Sequence, residues 1–327
     1  MGSPGRMHRR IARLLAAVAC VATLPVVAQE AYPSRPIRLI VPFTTGGGSD
    51  LVARSIGQKL SESWKQPVVI DNRPGGNTVI GAELAARAAP DGHTLMLTVH
   101  TTLVVNPALY PKLPYDPVRD FTPITLTHTN PMVIAANPGA QAKNLAELIA
   151  QAKAAPGKVF YAHGAMPAQI AGEVLQTAAG IRLAGVPYKG SASALTDTVG
   201  GTVPLIIDSI QSSLPFIRNG QLRAIAVTGA QRAAVLPQVP TVAEAGVPGY
   251  DVAVWSAIVA PAGLSRELQM RLNAELARIV QLSEMRERFS GTGANLIGSS
   301  PEELARVIRE DLVKYAQIIK AAGIRVE

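Results

Sequence analysis

The residues of this chain that could do chemistry lie in glycine-rich turns, of which the first is VPFTTGGGSD (41–50). It joins a run of apolar residues to three glycines, a serine and an aspartate. A strand, a glycine turn and a helix in this order present free backbone N–H groups and the positive end of the helix dipole, which favour an anion. Glycine also removes the Cβ that would block the approach of a ligand. The segment therefore predicts an anion cradle, unless it is a plain turn in which Ser49 or Asp50 caps the helix.

The spacing of this turn argues against a nucleotide. The phosphate loop G-x-x-x-x-G-K-[ST] needs a lysine that does not follow here, and the dinucleotide turn G-x-G-x-x-G is also missing. Asp50 near the helix start would repel a pyrophosphate. A compact carboxylate held by backbone donors fits the segment better.

Five further segments place polar or small residues directly after a predicted strand. They are NRPGGNT (72–78), VHTTLVVNP (99–107), YAHGAMPAQ (161–169), VPYKGSASA (186–194) and IIDSIQSS (206–213). Loops at the carboxyl ends of parallel strands converge on one edge of a sheet, so they can share a crevice. The predicted ligand-binding residues are Phe43, Thr44, Thr45, Gly46, Gly47, Gly48, Ser49, Asn77, Thr78, His100, Thr101, Thr102, His163, Gly164, Ala165, Tyr188 and Asp208.

Several of these residues also have a structural interpretation. Asp208 could cap a helix, Tyr188 could pack at the cleft edge, and the neighbouring Lys189 could be a solvated surface charge. If they face a ligand, Lys189 or His163 would add positive charge. Asp208 would then suit a ligand hydroxyl or ammonium group.

Catalysis finds little support in the sequence. The nucleophile elbow G-x-S-x-G is absent, and no pair of carboxylates stands out for acid–base work. His93, His100, His128 and His163 lack the spacing of metal ligands. We therefore expect a binding protein without catalytic residues, metal or cofactor.

The first 28 residues have the layout of a cleavable signal peptide. Four arginines between positions 6 and 13 precede the apolar run LLAAVACVATLPVVA, which ends in small residues at Ala28. We predict cleavage after Ala28 and a periplasmic protein. Cys20, the only cysteine, lies inside this segment. Acylation of Cys20 in a lipoprotein is an alternative, although the residues before it form a poor lipobox.

The remaining chain has the composition of an ordinary exported protein. It has no cysteine to form disulfides, and about 300 residues suffice for one large or two ordinary domains. Without the four arginines of the signal peptide, 27 basic side chains face 23 acidic ones, a net charge of +4. This modest, dispersed excess argues against nucleic-acid binding but suits a small anion. We expect a soluble monomer.

Strand and helix patterns alternate almost without interruption from residue 37 onward. Three continuously apolar strands in residues 37–99, separated by helices, predict a parallel sheet covered on both faces. Residues 121–139, which are extended and broken by prolines, are interpreted as a crossover into a second α/β unit. We predict an α/β fold with a ligand cleft between two lobes. Lobe 1 comprises residues 29–125 and 229–327, and lobe 2 comprises residues 126–228.

Longer motifs, found in order along the chain, are more specific than any single turn. They include YPSRPIRLIVPFTTGGGSDLVAR, VVIDNRPGGN, NPALYPKLPYDPVRDFTPI, VPYKGSASALTD and LPQVPTVAEAGVPGYDV. Together they resemble the substrate-binding proteins of tripartite tricarboxylate transporters, the Bug or TctC family. The resemblance runs from Tyr32 to the C-terminus.

This resemblance implies a periplasmic binding protein of type II, whose two lobes close on a small carboxylate. It also implies partners, namely the large and the small integral membrane subunits of a transporter. In this family the first glycine loop binds a ligand carboxylate, largely through backbone donors. The resemblance therefore implies this role for Thr44, Thr45, Gly46 and Gly47, and by extension for Gly48 and Ser49. Asp50 and Arg54 match family positions that we interpret as structural.

Three departures from the family pattern fall at the predicted pocket. They are Asn77 to Val79 in the second loop, His100 in the third, and His163 with Met166 in a shortened loop of the second lobe. They leave open which organic acid or amino acid is bound. Two alternatives also remain: a binding protein that serves a signalling partner, and an exported α/β hydrolase, which the missing nucleophile elbow disfavours.

Overall fold

Ten strands form a single sheet in the computed structural model, which describes residues 32–46 and 48–322. The predicted signal peptide with Cys20, and Gly47 of the first loop, lie outside the described residues. Within the described ranges, no helix combines the length and the apolar character needed to cross a membrane.

The helices and strands alternate through most of the chain. The strands are β1 (Ile37–Val41), β2 (Val68–Asn72), β3 (Thr94–Val99), β4 (Phe121–Ala136), β5 (Phe160–His163), β6 (Ala184–Pro187), β7 (Leu205–Ser209), β8 (Arg223–Val227), β9 (Ala253–Pro261) and β10 (Asn295–Leu296). The α-helices are α1 (Gly48–Trp64), α2 (Val79–Ala86), α3 (Asn106–Leu109), α4 (Leu145–Ala154), α5 (Met166–Ala179), α6 (Ser191–Val199), α7 (Ile210–Arg218), α8 (Arg266–Val280), α9 (Ser283–Ser290) and α10 (Pro301–Ala322). A 3-10 turn (Gly76–Thr78) precedes α2, and a π-helical turn (Thr101–Val105) precedes α3.

The first lobe is built on three parallel strands, as predicted for residues 37–99. β1 lies between β2 and β3 and pairs with both in parallel. β9 follows β3 in the sheet and runs antiparallel to β3 and to β4. The sheet is therefore mixed, because β9 comes back from the second lobe and is not joined to β3 by a crossover helix.

The second lobe repeats this plan with β5, β6 and β7. β5 lies between β6 and β7 and is parallel to both. The carboxyl ends of these three strands therefore meet at one edge, as those of β1, β2 and β3 do in the first lobe.

β4 joins the lobes as one long strand, where the sequence predicted extended pieces broken by prolines. Its first part, to Pro131, pairs with β9, and its second part, from Met132, pairs with β7 and β8. The prolines are tolerated because the β4–β9 register shifts after Pro123 and because Pro131 lies where the pairing changes partners.

Each lobe has its own hydrophobic core. That of the first lobe includes Met96, Trp255 and Ile308. The second lobe has two clusters, one containing Ile134 and the other Val133. Adjacent residues of β4 point to opposite faces, so the two clusters cover both faces of the second-lobe sheet. The predicted lobe boundaries at residues 126 and 229 stay a prediction.

Candidate functional site

The first loop leaves β1 and reaches the N-terminus of α1. Thr44, Thr45 and Gly46 are exposed, and Gly46 has a φ of 87°, in the left-handed region that favours glycine. The buried carboxylate of Asp50 accepts hydrogen bonds of 2.8 Å from the Gly46 N–H and from Arg54 Nε. Asp50 therefore fastens the loop to its helix, the structural role predicted for it, and Arg54 balances its charge.

The electrostatics of the first loop leave some of its donors free. Burial alone would raise the pKa of Asp50, but hydrogen bonds from Arg54, the Gly46 N–H and Asn72 outweigh it and lower the pKa to about 2. The Gly46 N–H is thus engaged within the loop. Among the described residues, no hydrogen bond involves the side chain of exposed Thr44, and the first N–H groups of α1 lack partners inside the helix, so these groups are available to an anion.

Asn72, the last residue of β2, joins the first loop to the second. Its Nδ2 donates to Asp50 Oδ1 at 2.9 Å and to the Phe43 carbonyl at 3.0 Å. Its Oδ1 accepts a hydrogen bond from Thr45 Oγ1 at 3.2 Å. Phe43 and Thr45, both predicted to bind the ligand, are therefore positioned by the neighbouring strand.

The second loop carries two non-glycine residues in the left-handed region, Asn77 (φ 51°) and Thr78 (φ 77°). Each such backbone conformation raises the free energy of the folded state by about 1–3 kcal/mol, so hydrogen bonds from neighbouring residues must hold it in place. Thr102 Oγ1 donates to Thr78 Oγ1 at 2.8 Å. Asn106 exchanges two hydrogen bonds of 2.8 Å with Asn77, donating to its carbonyl and accepting from its side chain. Asn77 and Thr78 thus fix the second loop to the third segment.

The third segment is helical, although the sequence predicted a loop there. Thr102 is buried within the π-helical turn, and Thr101 is half-buried. The Tyr115 hydroxyl donates to the Thr102 carbonyl at 2.6 Å, and burial raises the pKa of Tyr115 to about 12. Thr102 is therefore part of a buried polar network that supports the site.

His100 is buried at the junction of the lobes. Its ring centroid lies 5.6 Å from that of Tyr315 and 6.2 Å from that of Trp255. It lines a narrow gap together with Pro167 and Ile170 of α5. Burial, helped by the charge of Lys314, lowers the pKa of His100 to about 3, so the imidazole is neutral. The structure gives His100 a packing role that its predicted place in a ligand loop did not reveal.

The loops of the second lobe are packed tightly against one another. The Tyr188 N–H donates to the His163 carbonyl at 2.9 Å. A Cβ on Gly164 would lie 2.3 Å from the carbonyl carbon of Gly190, so only glycine fits this contact. Ala165 is exposed and begins α5 as its N-cap residue. These loops do converge at one edge, as the sequence predicted.

Burial and hydrogen bonding differ among the polar side chains predicted to face a ligand from the second lobe. Burial lowers the pKa of His163, which lies 5.6 Å from the Tyr161 ring, and so disfavours the positive charge predicted for it. Lys189 is exposed. The Tyr188 hydroxyl donates to Asp197 at 2.7 Å and is thus engaged inside its own lobe.

Asp208, the penultimate residue of β7, is buried beneath these loops. Its Oδ1 accepts a hydrogen bond of 2.7 Å from the Ser191 hydroxyl, and its Oδ2 is buried without a hydrogen-bond partner among the described residues. Burial raises the pKa of Asp208, although hydrogen bonds from Ser191 and from the Ser209 N–H oppose the rise. Asp208 positions the start of α6, and its predicted contact with a ligand stays a prediction.

The two lobes pack against each other at the start of α5. Met166 and Ile170, in the first turns of α5, pack against the hydrophobic core of the first lobe. Gly48 is exposed and Ser49 half-buried at the start of α1 on the first-lobe side. Gly47 of this loop is not described, and the assignment of the first-loop residues to a ligand site between the lobes stays a prediction.

Sequence reasoning missed the residues that join the loops. Asn72, Asn106, Tyr115 and Ser191 make these connections but were not among the predicted site residues. A polar residue directly after a strand is a usable signal, which Asn72 carries. Asn106 and Tyr115 offer none, because their partners lie elsewhere in the chain.

Comparison with known proteins identifies relatives along nearly the whole chain. Residues 52–324 match the family described as "Tripartite tricarboxylate transporter family receptor". Protein BugT of Bordetella pertussis (strain Tohama I) is 35% identical over 322 residues, covering 96% of this chain and 99% of BugT.

Two solved structures with ligands are also similar. R. palustris Rpa4515 with adipate is 35% identical, with a TM-score of 0.72 over 90% of this chain and 99% of the other. MatC (Rpa3494) from Rhodopseudomonas palustris with bound malate is 32% identical, with a TM-score of 0.68 over 88% of this chain and 100% of the other. These matches confirm the predicted two-lobed fold of periplasmic binding proteins.

Proposed function

The chain belongs to the tripartite tricarboxylate transporter receptor family, and on this premise we propose that it is a periplasmic receptor for a small dicarboxylate. Proteins of this family and the similar solved structures are substrate receptors and not enzymes, so the hydrolase alternative is wrong. Adipate and malate, found in two solved relatives, each carry two carboxylates. A single dicarboxylate would bridge the cleft, with one carboxylate bound by each lobe.

The observation that carries this proposal is the joined edge of the first lobe. Hydrogen bonds through Asn72 and Asn106 hold the loops after β1, β2 and β3 in one arrangement. The first of these loops opens at the N-terminus of α1, where the helix dipole favours a carboxylate. The Arg54–Asp50 pair removes the repulsion that a free Asp50 carboxylate would exert.

Closure of the second lobe would complete the site. The first lobe binds one carboxylate through neutral donors, and the loops at Gly164 and Tyr188 then approach the other end of the ligand. The ligand shifts the population toward the closed form only to the extent that it makes more contacts there than in the open form. The closed receptor would deliver the ligand to the large and small membrane subunits of its transporter.

Calorimetric titration tests the binding step. The ligands are dicarboxylates from malate-sized to adipate-sized, with monocarboxylates of equal length as controls. We expect dicarboxylates to bind and monocarboxylates to bind more weakly. A panel in which no carboxylate binds or raises the melting temperature would refute the proposal.

A matched pair of glycine variants tests the role of the first loop. Gly48 and Gly291 both have open space where a Cβ would stand, and neither has a positive φ, so a side chain can start at either position without a clash at its Cβ. Gly48→Tyr would occupy the start of α1 and weaken binding by about tenfold or more, whereas Gly291→Tyr would not. Equal affinity of the two variants would exclude the first loop from the site.

Delivery to a transporter needs a separate experiment. Uptake of labelled ligand by cells carrying the two membrane subunits is compared with and without this receptor. Uptake that needs the receptor supports transport. Receptor-independent uptake, with ligand binding intact, would instead favour the alternative of a signalling partner.

A further inference from the structure

A cavity of about 680 Å³ lies at the hinge, apart from the carboxylate site. Its lining comes from residues 126–131 of β4, residues 251–255 at the start of β9, α10, and the segments 229–231 and 295–297. None of the predicted ligand-binding residues lines it. Its volume is that of a typical small-molecule site. We propose that this hinge cavity binds a small organic cation bearing an amine.

The charges around the hinge cavity favour a cation. Four carboxyl groups line it, against the two cations Arg306 and Lys314. Arg306 is already paired with two of the carboxylates, Glu303 and Glu310. Of the other two acids, Asp251 has no ion pair among the described residues, and the only side-chain hydrogen bond of Asp311 there comes from Trp255. Burial raises the pKa of Asp311, and a cation bound beside it would oppose that rise. A wall with excess negative charge raises the local concentration of cations.

The inner wall of the hinge cavity suits an amine in particular. Asp311 Oδ2 accepts a hydrogen bond of 2.7 Å from the Trp255 indole N–H, which fixes the carboxyl group beside two aromatic rings, those of Trp255 and Tyr315. Aromatic rings attract ammonium groups. Among the described residues, no group of His, Cys, Asp and Glu side chains could hold a metal ion, so an organic cation fits better than a metal.

The protein places an alkylammonium of its own in this cavity. Lys314 Nζ donates to the Asp251 carbonyl and lies 5.9 Å from the centroid of the Tyr315 ring. The wall therefore already accommodates the chemistry of the proposed ligand. The ammonium group of Lys314 occupies part of the cavity and would repel an incoming amine, so its removal should strengthen binding.

The position of the hinge cavity couples it to movement of the lobes. α10 contributes Leu304 and Ile308 to the core of the first lobe. The segment 229–231 lies between Val227 and Ala233, both in a core cluster of the second lobe. A rotation of the lobes must change the width of a space lined by both. A cation that binds the open or the closed form of the receptor more tightly will therefore change the affinity for the carboxylate. By linkage, the carboxylate changes the affinity for the cation by the same factor.

Calorimetric titration with 1,4-diaminobutane tests the site, and butane-1,4-diol serves as the neutral control of equal length. The carboxylate-free protein is used, so the result does not depend on the proposed function. We expect the diamine to bind and the diol not to bind. Failure of the diamine to bind, or equal binding of the diol, would overturn the proposal.

Two substitutions with opposite expected effects locate the diamine. Asp311→Asn keeps an oxygen that accepts from Trp255 but removes the charge, and should weaken binding by about tenfold or more. Lys314→Met removes the repelling ammonium and should strengthen binding. Glu267→Gln, an equal change of charge at an exposed position of α8, is the control and should change nothing. Equal affinity of all three variants would show that the diamine binds elsewhere.

The coupling to closure rests on the proposed function and is measured separately. The dissociation constant of a dicarboxylate is determined with and without saturating diamine, and that of the diamine with and without dicarboxylate. We expect equal, reciprocal changes of about fivefold or more. Diamine binding that leaves the dicarboxylate affinity unchanged would overturn the coupling.

Discussion

Replacing Asn106 by alanine tests whether one buried side chain holds the second loop of the site to the third segment. Asn106 is fully buried and makes two hydrogen bonds of 2.8 Å with Asn77. It also lies 3.4 Å from the hydroxyl oxygens of Thr78 and Tyr115, at weaker hydrogen-bond distance. The substitution removes all four contacts and leaves a small cavity.

The expected loss follows from these contacts. Loss of each 2.8 Å hydrogen bond should lower the free energy of unfolding by about 1 kcal/mol, because water can then reach the groups of exposed Asn77. The cavity left by the side chain should lower it by about 1 kcal/mol more. The free energy of unfolding should therefore fall by about 2–3 kcal/mol. With an unfolding entropy of about 2.1 cal/mol/K per residue over roughly 290 described residues, the Tm should fall by about 3–5 °C.

Scanning calorimetry measures this change, and titration with a dicarboxylate measures its effect on the site. We expect weaker binding together with the lower Tm, because Asn77 and Thr78 lose what holds them in the left-handed region. Asn219→Ala, at an exposed position after α7, is the control and should lower the Tm by less than about 1 °C. An Asn106→Ala protein as stable as this control would refute the reasoning.

Three other predictions concern stability. Burial holds the pKa of His100 at about 3 and that of His128 at about 4, below the value of about 6.5 in the unfolded chain. The unfolded state then binds more protons, so the Tm should fall as the pH drops from about 6.5 towards 4 and fall less in a His128→Gln protein. Gly172→Ala would place a Cβ 2.4 Å from the hydroxyl of buried Tyr161, and urea denaturation should show a loss of about 1–3 kcal/mol. Tyr115→Phe leaves a buried carbonyl without its 2.6 Å partner and should cost about 1–2 kcal/mol by the same measurement.

Matched substitutions separate these effects from the general cost of mutation. Gly291→Ala has open space for the added methyl group and should leave the free energy of unfolding unchanged, in contrast to Gly172→Ala. Tyr110→Phe removes a hydroxyl that has no hydrogen-bond partner in the described part of the chain. It should cost less than about 0.5 kcal/mol. Equal losses within either pair, or a Tm independent of pH between 7 and 4, would contradict the corresponding prediction.

The regular part of the fold could be predicted because its sequence signal is local. β1 and β3 consist mostly of apolar residues, as a strand buried on both faces requires. β4 was predicted only as extended pieces because Pro123 and Pro131 normally end a strand, and the shift in register that accommodates them depends on β9. α9 and β10 were not predicted, since one is short and polar and the other has only two residues.

The meeting of loops within a lobe could be predicted from the sequence, but their contacts could not. Loops that follow parallel strands meet at one edge whatever their sequence, so Gly164 and Tyr188 could be assigned to neighbouring loops of the second lobe. What each side chain contacts depends on residues far away along the chain. Thr102, for example, bonds to Thr78, which lies 24 positions earlier. Burial, which makes His100 neutral, likewise arises from elements that its own segment does not contain.

Hydrogen bonds and a change of strand pairing mark the boundary between the lobes. On the second-lobe side, Thr228 ties the crossing segments together: it exchanges hydrogen bonds with Met132, and its carbonyl accepts one of 2.8 Å from the Val252 N–H. Pro131, next to Met132, has no N–H to donate, and a Cβ on Gly229 would lie 3.0 Å from the Pro131 Cβ. Up to Pro131 β4 pairs with β9, and from Met132 it pairs with β7 and β8, so the strand changes its partners at this point. Pro131 and Gly229 both line the hinge cavity, so the lobe rotation that the proposed closure requires would change the space in which the proposed amine binds.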